Sequence, residues 1–287
     1  MSFLEALFAD TETLLAVMGV ILVMGIVQGS VAFAGGLIGI PLLSMAGLTL
    51  PEAVAVSIFC GIPQNLTGCW QLRKEIPWGR TLRPIAIRTL FLPLGILALH
   101  SLDETLRWTI DPAVGAVMLG LLGLLLFVHP EHKPEFPVKW EVLACSVSGF
   151  LVGFCGMGGP ALVVWTLAHD WSATKTRGFL FAVYAANLLP QLGIYAVVWG
   201  PDLARAFAFG ALGVPLSSAG MLLGLYVSRW ISKKTLRRIA YGTILVTALL
   251  SIAQPFVARL RQDGDTPAEA SGSDEGALPA EAASNQR

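Results

Sequence analysis

Charge is what this sequence has least of. Of its 287 residues 13% are charged and 55% hydrophobic, and the mean hydropathy is +0.69. A soluble domain carries about 25% charged residues, because its surface faces water. Half that share cannot coat a globule of this size. A disordered chain, a collagen-like fibre, a nucleic-acid binder and an ordinary cytosolic enzyme are excluded at once. Cysteine chemistry is missing too. Cys60, Cys69, Cys145 and Cys155 lie in or beside apolar runs, form no CxxC pair and have no His at zinc-ligand spacing. They read as small apolar fillers, so neither a metal nor a cofactor is expected. The chain has no Gly-x-x-x-x-Gly-Lys loop for ATP. It also has no Gly-x-Ser-Gly and no His paired with an embedded Ser, as an intramembrane serine enzyme would need. The first ten residues are acidic and hold no Lys or Arg, so the first apolar run is expected to be a retained span.

Long apolar runs are what the chain does have. A helix needs about 20 apolar residues to cross a hydrocarbon core of about 30 Å. Runs of that kind lie near 14–34, 52–70, 84–100, 108–128, 140–157, 178–199, 203–228 and 236–256. The expectation is an all-α polytopic membrane protein with about eight transmembrane helices. Two shorter apolar pieces, near 37–46 and 160–168, follow glycine clusters and are too short to cross as ordinary helices. Seven of the eight Trp residues fall near span ends or in links, as an interfacial belt requires, and the four His residues are expected on solvated faces.

The glycine clusters reveal a repeat. Phe33-Ala34-Gly35-Gly36-Leu37 with Pro41 in the first half is answered by Gly156-Met157-Gly158-Gly159-Pro160 about 120 residues later. Asn65 follows Gly35 by 30 residues and Asn187 follows Gly158 by 29, and each has a Pro-Gln beside it (Pro63-Gln64 and Pro190-Gln191). Two similar halves with paired interruptions are the signature of a repeat-built secondary transporter. The link after the second span is basic (Arg73, Lys74, Arg80, Arg83), whereas its second-half counterpart holds Asp202 and Arg205. The link after the seventh span is basic as well (Arg229, Lys233, Lys234, Arg237, Arg238), against Asp103, Glu104 and Arg107 in the first half. Basic links stay cytoplasmic, so equivalent loops fall on opposite sides, which points to inverted repeats. Inversion needs an odd number of crossings per half, so either the short pieces after the glycine pairs add to the four plain spans or one loop breaks the charge rule. The resulting division is an N-terminal segment 1–13, a first repeat 14–130, a link 131–139, a second repeat 140–258 and a disordered acidic tail 259–287. From Asp263 that tail carries six acids against Arg287 alone, while 14–258 holds 16 Lys and Arg against 10 Asp and Glu.

Helices that break and restart at Gly35-Gly36 and Gly158-Gly159 leave backbone N–H groups at their new starts, which favour an anion. The competing reading is close helix packing through small residues. Ser57, Gln64 and Asn65 interrupt one apolar span, and Asn187 and Gln191 share a face of another. Their amides can donate to an oxyanion, or they can simply bond helices together. Arg88 and Arg177 stand near span ends, where they either snorkel or draw anions inward. Asp111, near the start of the fourth span, reads as a helix-start acid rather than a proton carrier, though no other acid is better placed for proton coupling.

The cluster Gly35-Gly36-Leu37-Ile38-Gly39-Ile40-Pro41, the run Ala53-Val54-Ala55-Val56-Ser57, and Gly156-Met157-Gly158-Gly159 with Arg177-Gly178 together resemble the TauE/SafE, or sulfite exporter, family. The likeness runs from about residue 14 to 256. It implies a multi-pass permease of the bacterial inner membrane that moves sulfite, a sulfonate or a related small organic anion. Phe33 and Leu37 stand where the family commonly has glycine, which narrows the site. The substrate-binding set expected is Gly35, Gly36, Ser57, Gln64, Asn65, Gly158, Gly159, Arg177, Asn187 and Gln191. The partners expected are a small anionic solute and the lipid bilayer, with no nucleic acid. A membrane scaffold or assembly factor without transport activity is the alternative reading.

Overall fold

The computed structural model describes residues 11–101 and 137–232, with scattered positions between 234 and 249. All its regular structure in these residues is helical. The elements are α1 (Thr11–Val31), α2 (Gly35–Met45), α3 (Leu50–Gln71), α4 (Trp78–Ser101), α5 (Val138–Cys155), α6 (Gly159–Ala168), α7 (Ala173–Trp199) and α8 (Ala204–Val227). Among the described residues four stretches are long and apolar enough to cross a membrane: Thr11–Val31, Trp78–Ser101, Val138–Cys155 and Ala173–Trp230. The last contains both α7 and α8, joined by the 3-10 turn Gly200–Leu203. Helix α3 has the length, 22 residues, but its polar side chains lower its hydropathy. The expected run 108–128, the acid Asp111 and the tail 259–287 lie outside the described residues, as does most of 236–256.

Both expected interruptions are where the chain turns. Helix α1 ends at Ala32 with φ 75°, and α5 ends at Gly156 with φ 72°. A residue in this left-handed region cannot continue a right-handed helix. The chain then restarts three residues on in each case, as α2 from Gly35 and α6 from Gly159. Thr49 caps α3 through a reciprocal box with Glu52, and the Ser172 hydroxyl caps α7 by accepting the Lys175 N–H.

Two seams of glycine join the long helices. Gly25 and Gly29 of α1 lie against the backbone of Ser217, Gly220, Met221 and Gly224 of α8; a methyl group at Gly25 would stand 2.5 Å from the Ser217 carbonyl oxygen. Gly149 and Gly153 of α5 lie in the same way against the backbone of Arg88 and Leu92 of α4, while Gly95 of α4 meets Phe150 of α5. Without side chains between them the backbones approach closely, the usual source of helix attraction where lipid removes the hydrophobic drive. Gly25, Gly29 and Ala32 recur as Gly149, Gly153 and Gly156 at a constant spacing of 124 residues. Between the seams α3 and α7 pack antiparallel, with Gly61 against Leu188 and Gly68 against the Phe181 ring.

The outward faces carry apolar residues such as Leu15, Leu90, Leu97 and Val197, and Trp70, Trp78, Trp140 and Trp230 are exposed near helix ends. Trp171 and His169 depart from expectation. Both are buried, in one aromatic cluster with Trp165 and Phe179, where the Trp165 and His169 rings lie 4.3 Å apart and the His169 ring nitrogen Nδ1 bonds the Trp165 carbonyl. The cluster closes the connection from α6 to α7, which explains why neither ring faces water.

Candidate functional site

The two helix breaks meet in the middle of the molecule. A methyl group at Gly159 would stand 3.2 Å from the Phe33 carbonyl and 3.4 Å from the Tyr184 hydroxyl, and one at Gly36 would stand 3.7 Å from the Gly156 carbonyl. Around this junction is a cavity of about 90 Å³. At roughly 10–15 Å³ per water, it has room for several waters or one small solute. Its lining comes from all the helices α1 to α7 and from both breaks.

Each break is stapled by a polar side chain from the helix before it. Gln28 of α1 accepts the Gly35 N–H at 3.1 Å and donates to the Ala32 carbonyl at 3.2 Å and the Asn65 side chain at 3.1 Å. Ser148 of α5 donates to the Gly158 carbonyl at 2.5 Å and accepts from Arg88 Nε at 3.0 Å. A broken helix buried away from water must satisfy its loose backbone groups within the protein, and these two side chains do part of that. Gln191 donates to the Val152 carbonyl at 2.9 Å, tying α7 to the end of α5.

Helices α3 and α7 carry amides at the same place. Gln64 and Asn187 both lie fifteen residues beyond their capping residues, Thr49 and Ser172. Gln64 donates to the Ser217 hydroxyl at 2.8 Å, and Asn187 donates to the Thr89 hydroxyl. The Asn187 carbonyl oxygen accepts from Arg88 Nη1 at 3.1 Å. Asn65 donates to the Gly61 carbonyl at 2.7 Å.

Arg88 is the centre of charge. It is 2% exposed, and its guanidinium lies 4.7 Å from the Tyr184 ring centre. This corrects the reading of Arg88 as a cation snorkelling to an interface: Ser148, Asn187 and Tyr184 turn it inward. Arg88 is the one charged residue among the described residues lining the cavity, and no carboxylate among them pairs with it. A guanidinium has five N–H donors, of which the protein engages Nε and one on Nη1. A cation buried without a counter-charge is costly, by several kcal/mol even after relaxation. Tyr184 also lines the cavity, and its buried hydroxyl has no hydrogen-bond partner among the described residues.

The family model described as "Sulfite exporter TauE/SafE" matches residues 17–251. The chain belongs to the TauE/SafE family. No curated protein and no solved structure gives a significant match. TauE/SafE proteins are membrane transporters rather than enzymes.

Of the ten binding residues expected in this TauE/SafE chain, eight line the cavity: Gly36, Ser57, Gln64, Asn65, Gly158, Gly159, Asn187 and Gln191. Gly35 stands just behind it, its N–H taken by Gln28. Arg177 is elsewhere. Its Nη1 donates to the carbonyls of Ser228 at 3.0 Å and Ser30 at 3.4 Å, gathering the C-terminal ends of α8 and α1. A cation at two helix C-terminal ends is placed for their dipoles. Sequence reasoning did not single out Gln28, Ser148 or Tyr184. Gln28 carried a signal, an amide inside an apolar run four residues before a break; Ser148 and Tyr184 look like ordinary membrane-helix residues. Phe33 and Leu37, the residues standing at family glycine positions, both line the cavity and narrow it.

Proposed function

We propose that this TauE/SafE member is a secondary transporter that exports a small anion, such as sulfite, a sulfonate or a related organic acid, across the bacterial cytoplasmic membrane. The observation that carries the reading is Arg88, a buried cation with no carboxylate partner among the described residues, facing a central cavity. An anion entering the cavity supplies the missing counter-charge. The start of α6 adds backbone N–H groups and a partial positive charge at the same place, and the remaining amide hydrogens of Gln64, Asn65, Asn187 and Gln191 surround it.

Transport proceeds by alternating access of two inverted repeats, with the short helices after the glycine clusters supplying the odd crossing that inversion requires, opening the cavity to one side and then the other. The antiparallel packing of α3 on α7 supports inversion, since these helices hold corresponding places in the two halves. Energy comes from the membrane. A monovalent anion leaving a negative cytoplasm gains about 2.3 kcal/mol per 100 mV, so export needs no coupling ion.

The test is flux in proteoliposomes with sulfite, sulfate, short sulfonates and short carboxylates, under an imposed potential of either sign. Saturable flux of one anion that is lost in Arg88→Gln establishes the transporter reading. Silence across the panel from folded, inserted protein rejects it in favour of a scaffold or assembly role.

A further inference from the structure

We propose that Tyr184 and Arg88 together form the anion-binding pair, and that the cavity, carrying one fixed charge, selects monovalent over divalent anions. The inference rests on the anion-transport reading and adds to it a residue and a charge rule.

Most donors around the cavity are already committed. Gln28 has spent both amide hydrogens, on the Ala32 carbonyl and on Asn65. Gln64, Asn65, Asn187 and Gln191 have each committed one, to partners that tie helices together. Two groups in the cavity differ from these. The Arg88 guanidinium keeps the second Nη1 hydrogen and both Nη2 hydrogens clear of any acceptor among the described residues. Tyr184 is nine-tenths buried and its hydroxyl has no partner at all among them. A buried O–H without an acceptor is a standing cost, and proteins rarely keep one. Ring stacking holds the two groups together, at 4.7 Å from guanidinium carbon to ring centre. The Tyr184 hydroxyl borders Gly159, where α6 starts. One anion between them answers both deficits.

The charge rule follows from the same inventory. With Arg88 as the one charged group on the described lining, a monoanion makes the occupied cavity neutral. A dianion leaves one negative charge in a low-dielectric interior with no cation to meet it, the arrangement that buried charges avoid. Ser148 is a positioning residue, because it holds Arg88 Nε while bonding the Gly158 carbonyl.

The experiment is thermal unfolding of the purified full-length protein, titrated with methanesulfonate or sulfate at constant ionic strength. Wild type is expected to show a saturable upward shift with methanesulfonate and none with sulfate. Tyr184→Phe removes a hydroxyl without a partner, so its midpoint without anion stays at or above that of wild type. Its methanesulfonate response moves to roughly 10- to 100-fold higher concentration, the loss of one hydrogen bond to a charged group. Wild type alone supplies a second readout with methylphosphonate, whose shift should fade as pH rises through its second ionisation. An unchanged response in Tyr184→Phe overturns the tyrosine's role, and sulfate or the phosphonate dianion binding as well as methanesulfonate overturns the charge rule. Both results leave the anion reading standing. Failure of wild type to respond to any anion overturns that reading itself.

Discussion

Ala32 is the one non-glycine residue among the described residues with a positive φ. A Cβ in the left-handed region costs roughly 1–2 kcal/mol, and Gly156 ends α5 without that cost. Ala32→Gly should therefore raise the unfolding midpoint in detergent, by a gain of about 1 kcal/mol. The converse change, Gly156→Ala, should lower it by about 2 kcal/mol or more, because the new methyl meets Ile40 at 2.6 Å and Val54 at 2.9 Å as well. Ser148→Ala strips a partner from both Arg88 Nε and the Gly158 carbonyl, and should lower the same midpoint by about 1–3 kcal/mol. At this scale the sequence was partly legible. An amide in an apolar run announces itself, so Gln64, Asn65, Asn187 and Gln191 could be found by polarity alone. The burial of Arg88 could not. A long cation five residues into a run can reach an interface, and what turns it inward is Ser148 and Asn187, 60 and 99 residues away in sequence. Tyr184 was hidden for a different reason: a lone tyrosine in a span is ordinary, and only the missing partner makes it notable.

Helix boundaries depend on local chemistry, and here the sequence was read well. Glycine clusters marked both breaks, and the short pieces after them do restart as helices from Gly35 and Gly159. What pattern reading could not supply is which helix each glycine faces. The same residue type is inert at one position and indispensable at another. Gly193 of α7 has open space where a Cβ would be, whereas Gly224 of α8 lies against the α1 backbone at Ile26, Gly29 and Ser30. Gly224→Ala should cost about 1–3 kcal/mol by overpacking and reduce the yield of folded protein on gel filtration. Gly193→Ala should be neutral or gain up to about 1 kcal/mol from helix propensity. Equal effects at the two positions would remove the seam from the account of α1 and α8.

For the molecule as a whole, the governing quantity is the charge that crosses with each turnover. If one monovalent anion moves alone, an inside-negative potential of about 100 mV drives its accumulation outside by roughly 50-fold at equilibrium. Efflux measured at several clamped potentials should follow that slope, and flux indifferent to potential would show a compensating ion. Membrane class and family were legible from hydropathy and glycine motifs, and so were the two helix breaks. The embrace of α1 and α8 was not, because it joins residues from opposite ends of the chain.

That embrace has a consequence for how the protein is made. Helix α1 leaves the ribosome early, yet the glycine face it presents at Gly25 and Gly29 belongs to α8, the last of the described long helices. Through nearly the whole of synthesis the face has lipid or insertion machinery for company, and assembly closes only when the second half arrives. Among the described helices α1 packs on α8 and α5 packs on α4, so the segments before and after the 102–136 stretch hold each other's partners. A chain divided between Ser101 and Pro137 should accordingly yield two fragments that are degraded when produced singly and that rebuild the intact protein when produced together.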